Sequence, residues 1–255
     1  MRHLTVMVTL PALLLMGAHA MADSDAAGPG ITETFTCEFT EGKNADDLFA
    51  AADFWAKQVA KINSKEMDAY FGAVLLPFRA TVPTAGYDDW AWIGNWPSLD
   101  AMGKGLTDYL NSKEGQAADA RWDEMSDCRS NLWLRTPLVS NYPEEDATPN
   151  ADAVELYFCT LREGTDMAAV EAAEAGFVKA NGSAPIATER WTPFLANTPL
   201  DLVYLVAHED LASFTSFNSK WQFGETGQAN LAQFNEIMNC EAGIFTGRVI
   251  QQGEG

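Results

Sequence analysis

The chain is expected to be an α+β protein in which one β-α-β-β-α-β unit is used twice, and three observations point to it. GQAADARWDEMSDC at 115–128 returns as GQANLAQFNEIMNC at 227–240. C-x-x-x-E-G at 37–42 returns at 159–164, and P-F-x-A-x-x-P at 77–83 returns at 193–199. The three matches keep their order, with offsets that drift only by small insertions, which is the mark of an internal repeat rather than of chance.

The elements follow in order. TETFTCEFTEG and AVELYFCTLREG are rich in Phe, Thr, Val and Tyr and close on glycine, as strands do. Leu48, Ala52, Trp55, Val59 and Ile62 fall at steps of four and three and give one apolar helix face, with Asn44 as N-cap. Met167, Val170, Ala173 and Phe177 form the equivalent stripe. Two extended segments come next, 70–80 and 90–96, matched by 186–196 and 202–207, with Pro83 and Pro199 where strands should stop. Ser98 and Asp210 are placed to cap a second helical region, broken at Gly-Gln-Ala. SNLWLRTPL and GIFTGRVI supply the last strands.

The units span 34–138 and 154–250, joined by a polar, proline-containing linker at 139–153. Before them, residues 1–22 read as a signal peptide: a basic start, an apolar run too short to cross a bilayer, and Ala-x-Ala sites at 18–20 and 20–22. The expected location is therefore periplasmic or secreted, with no membrane attachment after cleavage. In an oxidising compartment the four cysteines, Cys37, Cys128, Cys159 and Cys240, read as two disulfides with three connectivities open. None has metal-type spacing, and no metal site is expected.

Cleavage would leave fifteen basic residues against thirty-six acidic ones. Such an excess repels nucleic acid and anionic lipid. The acids are scattered, which reads as a solvated surface.

A β-α-β-β-α-β unit is of ferredoxin-like type. Its four antiparallel strands carry helices on one face, so two units can cover their bare faces by packing sheet to sheet. In each unit an aromatic-ended third strand runs into a helix, at Trp90-Ala-Trp92-Ile-Gly-Asn-Trp96-Pro-Ser-Leu and at Tyr204-Leu-Val-Ala-His208-Glu-Asp-Leu. In this the chain resembles the dimeric α/β-barrel superfamily, with both units in one chain as a pseudo-dimer. That superfamily includes antibiotic-biosynthesis-type monooxygenases, stress-responsive barrel proteins and haem-handling relatives. The ferredoxin-like sheet makes the first and fourth strands neighbours, which implies the pairs Cys37–Cys128 and Cys159–Cys240.

A single site needs positions where the two units differ. Aligning Ser98 with Asp210 sets Trp96 opposite His208, Trp92 opposite Tyr204 and Arg79 opposite Leu195. Trp90, Trp92 and Trp96 share one strand face, and if that face looks between the sheets it lines a cavity for a small apolar or aromatic ligand; otherwise the indoles are core. Trp55, Trp122 and Trp133 read as packing. Arg79 and Arg190 are candidates to orient a carboxylate or phenolate there, or to pair with surface acids. His208, the one histidine outside the leader, has the chemistry of a general base or haem ligand, with Tyr204 beside it, although packing is the simpler role. The leading expectation is ligand binding between the sheets without a cofactor. The resemblance implies two rivals, a cofactor-independent monooxygenase and a haem protein, and a structural envelope protein is a third.

Overall fold

The computed structural model describes residues 30–79, 89–141, 153–181, 185–251 and 253. The leader at 1–22, Pro83 and most of the linker lie outside them. The first half runs β1 (Gly30–Phe39), α1 (Ala45–Val59), α2 (Lys65–Asp68), β2 (Phe71–Arg79), β3 (Trp90–Trp96), α3 (Leu99–Asn111), α4 (Lys113–Asp123) and β4 (Ser126–Ser140). The second runs β5 (Ala153–Leu161), α5 (Met167–Asn181), β6 (Ala187–Leu195), β7 (Leu202–His208), α6 (Leu211–Phe223), α7 (Glu225–Ile237) and β8 (Met238–Gln251).

The local signals act as the sequence leads one to expect. Asn44 accepts from the Asp46 amide at the start of α1, Ser98 caps α3, and Asp210 closes a capping box with Ser213 on α6. The short α2, capped by Ser64, has no periodicity long enough to announce it. The repeated glycine of Gly-Gln-Ala has a steric cause. A Cβ on Gly115 would collide with the carbonyl oxygen of Tyr109, and one on Gly227 with those of Lys220 and Trp221. The second helical region therefore folds back on itself as two helices in each half, with Ser112 and Gly224 at the corners.

All eight strands are antiparallel and close into one barrel in the order β1-β3-β2-β8-β5-β7-β6-β4. The expected α+β barrel is present, and the way its two four-stranded sheets join is a further finding. The sheets are also hydrogen-bonded edge to edge, β2 to β8 and β4 to β6, which removes the unpaired edges that two separate sheets would keep. The barrel interior is filled by Trp133, Trp191, Phe158, Phe245, Leu156 and Ile93, and the space left at one end measures only about 40 Å³. Polar groups inside pair with one another: Thr32 donates to Asn95 at 2.7 Å, Trp133 Nε1 donates to Thr34 at 3.0 Å, and Arg135 Nη1 donates to Glu189 at 3.0 Å.

Helices cover the outside. Cys37 lies directly opposite Cys128 on β1 and β4, and Cys159 opposite Cys240 on β5 and β8; both pairs are disulfide-bonded as the resemblance implies. No helix among the described residues is long and apolar enough to cross a membrane.

Candidate ligand-binding site

Strand alternation decides where each candidate points. On β3 the odd positions Ala91 and Ile93 enter the barrel, so Trp90, Trp92 and Trp96 face the helices. The inter-sheet placement of these indoles is thus overturned. An eight-stranded barrel holds little more than its own side chains, and this one already contains two indoles. The outer layer, where α1, α3 and α4 stand off the sheet, has room for more.

That layer encloses a cavity of about 510 Å³. Trp55 on α1, Trp122 on α4, and Trp90, Trp92 and Trp96 on β3 form its aromatic wall, completed by Tyr70 and Tyr109. Trp92 meets Trp55 edge to face at 4.9 Å and Trp122 likewise at 5.7 Å, while Trp90 stacks on Trp122 at 5.5 Å. Leu110, Asp123, Asp127 and Ser130 line the cavity and are exposed, so it opens to solvent between the α3–α4 corner and the start of β4.

At its floor is a hydrogen-bond chain. Trp92 Nε1 donates to the Tyr70 hydroxyl at 2.7 Å, and that hydroxyl donates to Glu33 Oε1 at 2.6 Å. Burial pushes the Glu33 carboxyl above its ordinary 4.5, with the Tyr70 hydroxyl and the Trp96 indole pulling the other way. Burial, reinforced by the Glu33 charge, raises Tyr70 well above the usual phenol range. On the helix side Tyr109 donates to Asp119 at 2.8 Å, and partial burial raises the Asp119 carboxyl too. Among the described residues no lysine, arginine or histidine lines the cavity. The indole nitrogen of Trp90, itself buried, has no hydrogen-bond partner among the described residues.

The second half carries the remaining candidates. His208 is fully buried against Phe214 and Phe217, and its Nε2 sits 2.8 Å from Glu155 Oε1. It lines neither this cavity nor the smaller one of about 180 Å³ beneath α5, α6 and α7. Tyr204 does line the smaller one, and its hydroxyl donates to Glu174 at 2.8 Å. Arg190 is buried rather than exposed and pairs with the same carboxylate at 2.8 Å. Arg79 falls at the end of β2 opposite Ile244, in the register that sets Leu195 of β6 opposite Leu132. The three tryptophans are thus brought together at one cavity; His208, Tyr204 and Arg190 are gathered in the other half.

Sequence reasoning passed over Glu33, Tyr70, Tyr109 and Asp119, and assigned Trp55 and Trp122 to packing alone. One signal was readable: a carboxylate stands four residues ahead of the first cysteine in both repeats, at Glu33 and Glu155, on the same strand face as the cysteine.

No sequence-family model matches the chain, and neither does any curated protein. Solved structures do. A monooxygenase candidate from Fusobacterium nucleatum superposes with a TM-score of 0.62 at 10% identity, covering 89% of this chain and 96% of that one. One from Lactobacillus acidophilus gives 0.58 at 9%, covering 88% and 97%. A chlorite dismutase candidate gives 0.51 at 13%, covering 87% and 95%. These neighbours are dimeric α/β-barrel proteins, and the fold of this chain is of that type. Identities this low carry the fold and nothing of the activity.

Haem is the cofactor such a fold brings into question. The open cavity does not fit it. Among the described residues its lining holds no histidine and no cysteine thiol, its acids would repel the propionates, and its tyrosines are held against ionisation by burial and neighbouring carboxylates. Among the described residues no cluster of three metal-ligating side chains occurs.

Proposed function

We propose that this is an exported, disulfide-stapled ligand-binding protein, built by tandem duplication of a ferredoxin-like unit, which takes a small aromatic or apolar molecule into the cavity under α1, α3 and α4. The observation that carries this is the 510 Å³ chamber walled by Trp55, Trp90, Trp92, Trp96 and Trp122 and open to solvent. A structural envelope protein has no use for such a chamber, and filling it would stabilise the fold. An enzymatic role at His208 and Tyr204 has weaker support, because the imidazole is enclosed and held by Glu155. Export is supported by the two disulfides and by the leader read from the sequence.

The test is a titration with a neutral fluorescent aromatic, N-phenyl-1-naphthylamine. Saturable one-to-one binding with quenching of the indoles is expected, weakened at least about tenfold in Trp122→Ala, whose side chain is only half-buried. Absence of saturable binding, or binding indifferent to Trp122, would sink the proposal. Export has its own check, the mass of the protein recovered from a periplasm. A chain cut after Ala20 or Ala22 and two hydrogens lighter per disulfide is expected; an uncut leader with free thiols would overturn that part.

A further inference from the structure

The same cavity says something about charge. An aromatic ring presents a negative π-face, and several rings around one space make that space attractive to a cation and to little else that is charged. Here the wall is mostly indole, the ring type that binds cations best. Polar groups in the lining add to the effect. Glu33, 7% exposed, and Asp119 are carboxyls at the cavity surface, and Asp123 and Asp127 stand at the mouth. Neither Glu33 nor Asp119 forms an ion pair with any described residue; their partners are the hydroxyls of Tyr70 and Tyr109.

A buried carboxyl without a counter-charge is costly to fold around, and proteins ordinarily supply a cation or shed the group. In the second half, where the free space is smaller, the buried carboxyls of Glu155 and Glu174 each have a nitrogen partner. At the equivalent place in the second half Glu155 meets His208, and nearby Glu174 meets Arg190. At the position where His208 stands in the second half, the first half has Trp96. The second half thus has an imidazole on one buried carboxyl and the Arg190 guanidinium on another, and the first has an aromatic ring and a space.

We infer that the ligand of the first-half cavity is an organic cation, a substituted ammonium carrying an apolar or aromatic body, with its charge against the indoles of Trp92, Trp96 and Trp122 and with Glu33 and Asp119 as counter-charges. The inference rests on the ligand-binding reading above and narrows its ligand class. The unpartnered Trp90 Nε1 adds a detail: a ligand that also carries an acceptor oxygen finds a donor on the same wall.

The experiment compares benzyltrimethylammonium with neopentylbenzene, its neutral carbon isostere, as competitors of N-phenyl-1-naphthylamine on the whole mature protein. The cation should displace the probe at a concentration at least about tenfold lower than the isostere. That advantage, read in each variant as the ratio of the two competitors' displacing concentrations, should shrink several-fold in Glu33→Gln and less in Asp119→Asn. A second reading needs no variant. Bound cation favours the ionised form of Glu33, so binding should release a proton and the cation's affinity should rise with pH while the isostere's stays flat. The other titratable groups in the lining are Tyr70, Tyr109, Asp119, Asp123 and Asp127, of which the tyrosines stay protonated across this range. Equal displacement by both competitors, or none by the cation, overturns the cation assignment and leaves the cavity reading standing. If the neutral probe itself does not bind, both fall.

Discussion

Glu33 and Glu155 hold the same station in the two halves, on the helix-facing side of β1 and β5, four residues before a stapled cysteine. Their surroundings are opposite. Glu155 is locked by His208 at 2.8 Å, by the Tyr157 hydroxyl at 2.6 Å and by Asn218 at 3.0 Å, inside a layer whose free space is about 180 Å³. Glu33 has one hydroxyl partner and borders a chamber nearly three times as large. The difference teaches that one backbone plan can hold a buried carboxylate in two ways. One half satisfies it with its own side chains and leaves the smaller space. The other leaves both the charge and the space open.

Several measurements would break or sharpen this contrast. The largest effect concerns what the halves share. Cys37–Cys128 and Cys159–Cys240 span 91 and 81 residues, so replacing either pair by serine should cost about 4–5 kcal/mol in guanidinium unfolding. Markedly unequal losses would show that the two staples are not equivalent. Next, His208→Ala should destabilise by about 3–5 kcal/mol, because it strands Glu155 inside the protein and leaves a void among Phe214 and Phe217. A loss near zero would dissolve the contrast, since Glu155 would then need its imidazole no more than Glu33 does.

The third effect has the opposite sign. Burial holds the Glu33 carboxyl above 4.5, so folding takes up a proton there. The protonated group's full contribution is present below about pH 4.5 and is lost as the pH climbs through the raised value. Glu33→Gln cannot ionise and lacks that loss. It should be more stable than the parent by about 1 kcal/mol at pH 7, with the gap closing as the pH falls below 4.5. Denaturation at a series of pH values would show it; a variant less stable at pH 7 would mean that the Tyr70 hydroxyl and Trp96 indole stabilise the carboxylate by more than its burial costs. The smallest effect lies on the surface. Asp53 on α1 reaches Arg248 on β8 at 2.8 Å, but the side chains are 49% and 43% exposed, so Asp53→Asn should move stability by less than about 0.5 kcal/mol.

Much of the fold was legible because its evidence was repeated. Three ordered matches, the helix stripes with their Asn44, Ser98 and Asp210 caps, and an even set of cysteines each constrained the answer before any coordinate. The site was less legible, for a reason visible in β3. Every residue from Trp90 to Trp96 is buried, because one face meets the barrel interior and the other meets helices. A strand covered on both sides shows no polar alternation, so its sequence does not say which face is which. Trp90, Trp92 and Trp96 could therefore be grouped on one face but not assigned to a side. Glu33 was hidden differently: a single acid in a strand rich in threonine resembles any exposed position until the helix above it is known.

The seams of the barrel carry one more consequence. Because β2–β8 and β4–β6 are ladders within a single chain, closing them requires no encounter between molecules. A barrel of the same strand order made from two separate chains would open as concentration fell, by mass action. This one has no such dependence, so β4, which borders the aromatic chamber, keeps its ladder to β6 in a single molecule however far it is diluted. The barrel that backs the chamber would be as well closed in a very dilute solution as in a concentrated one.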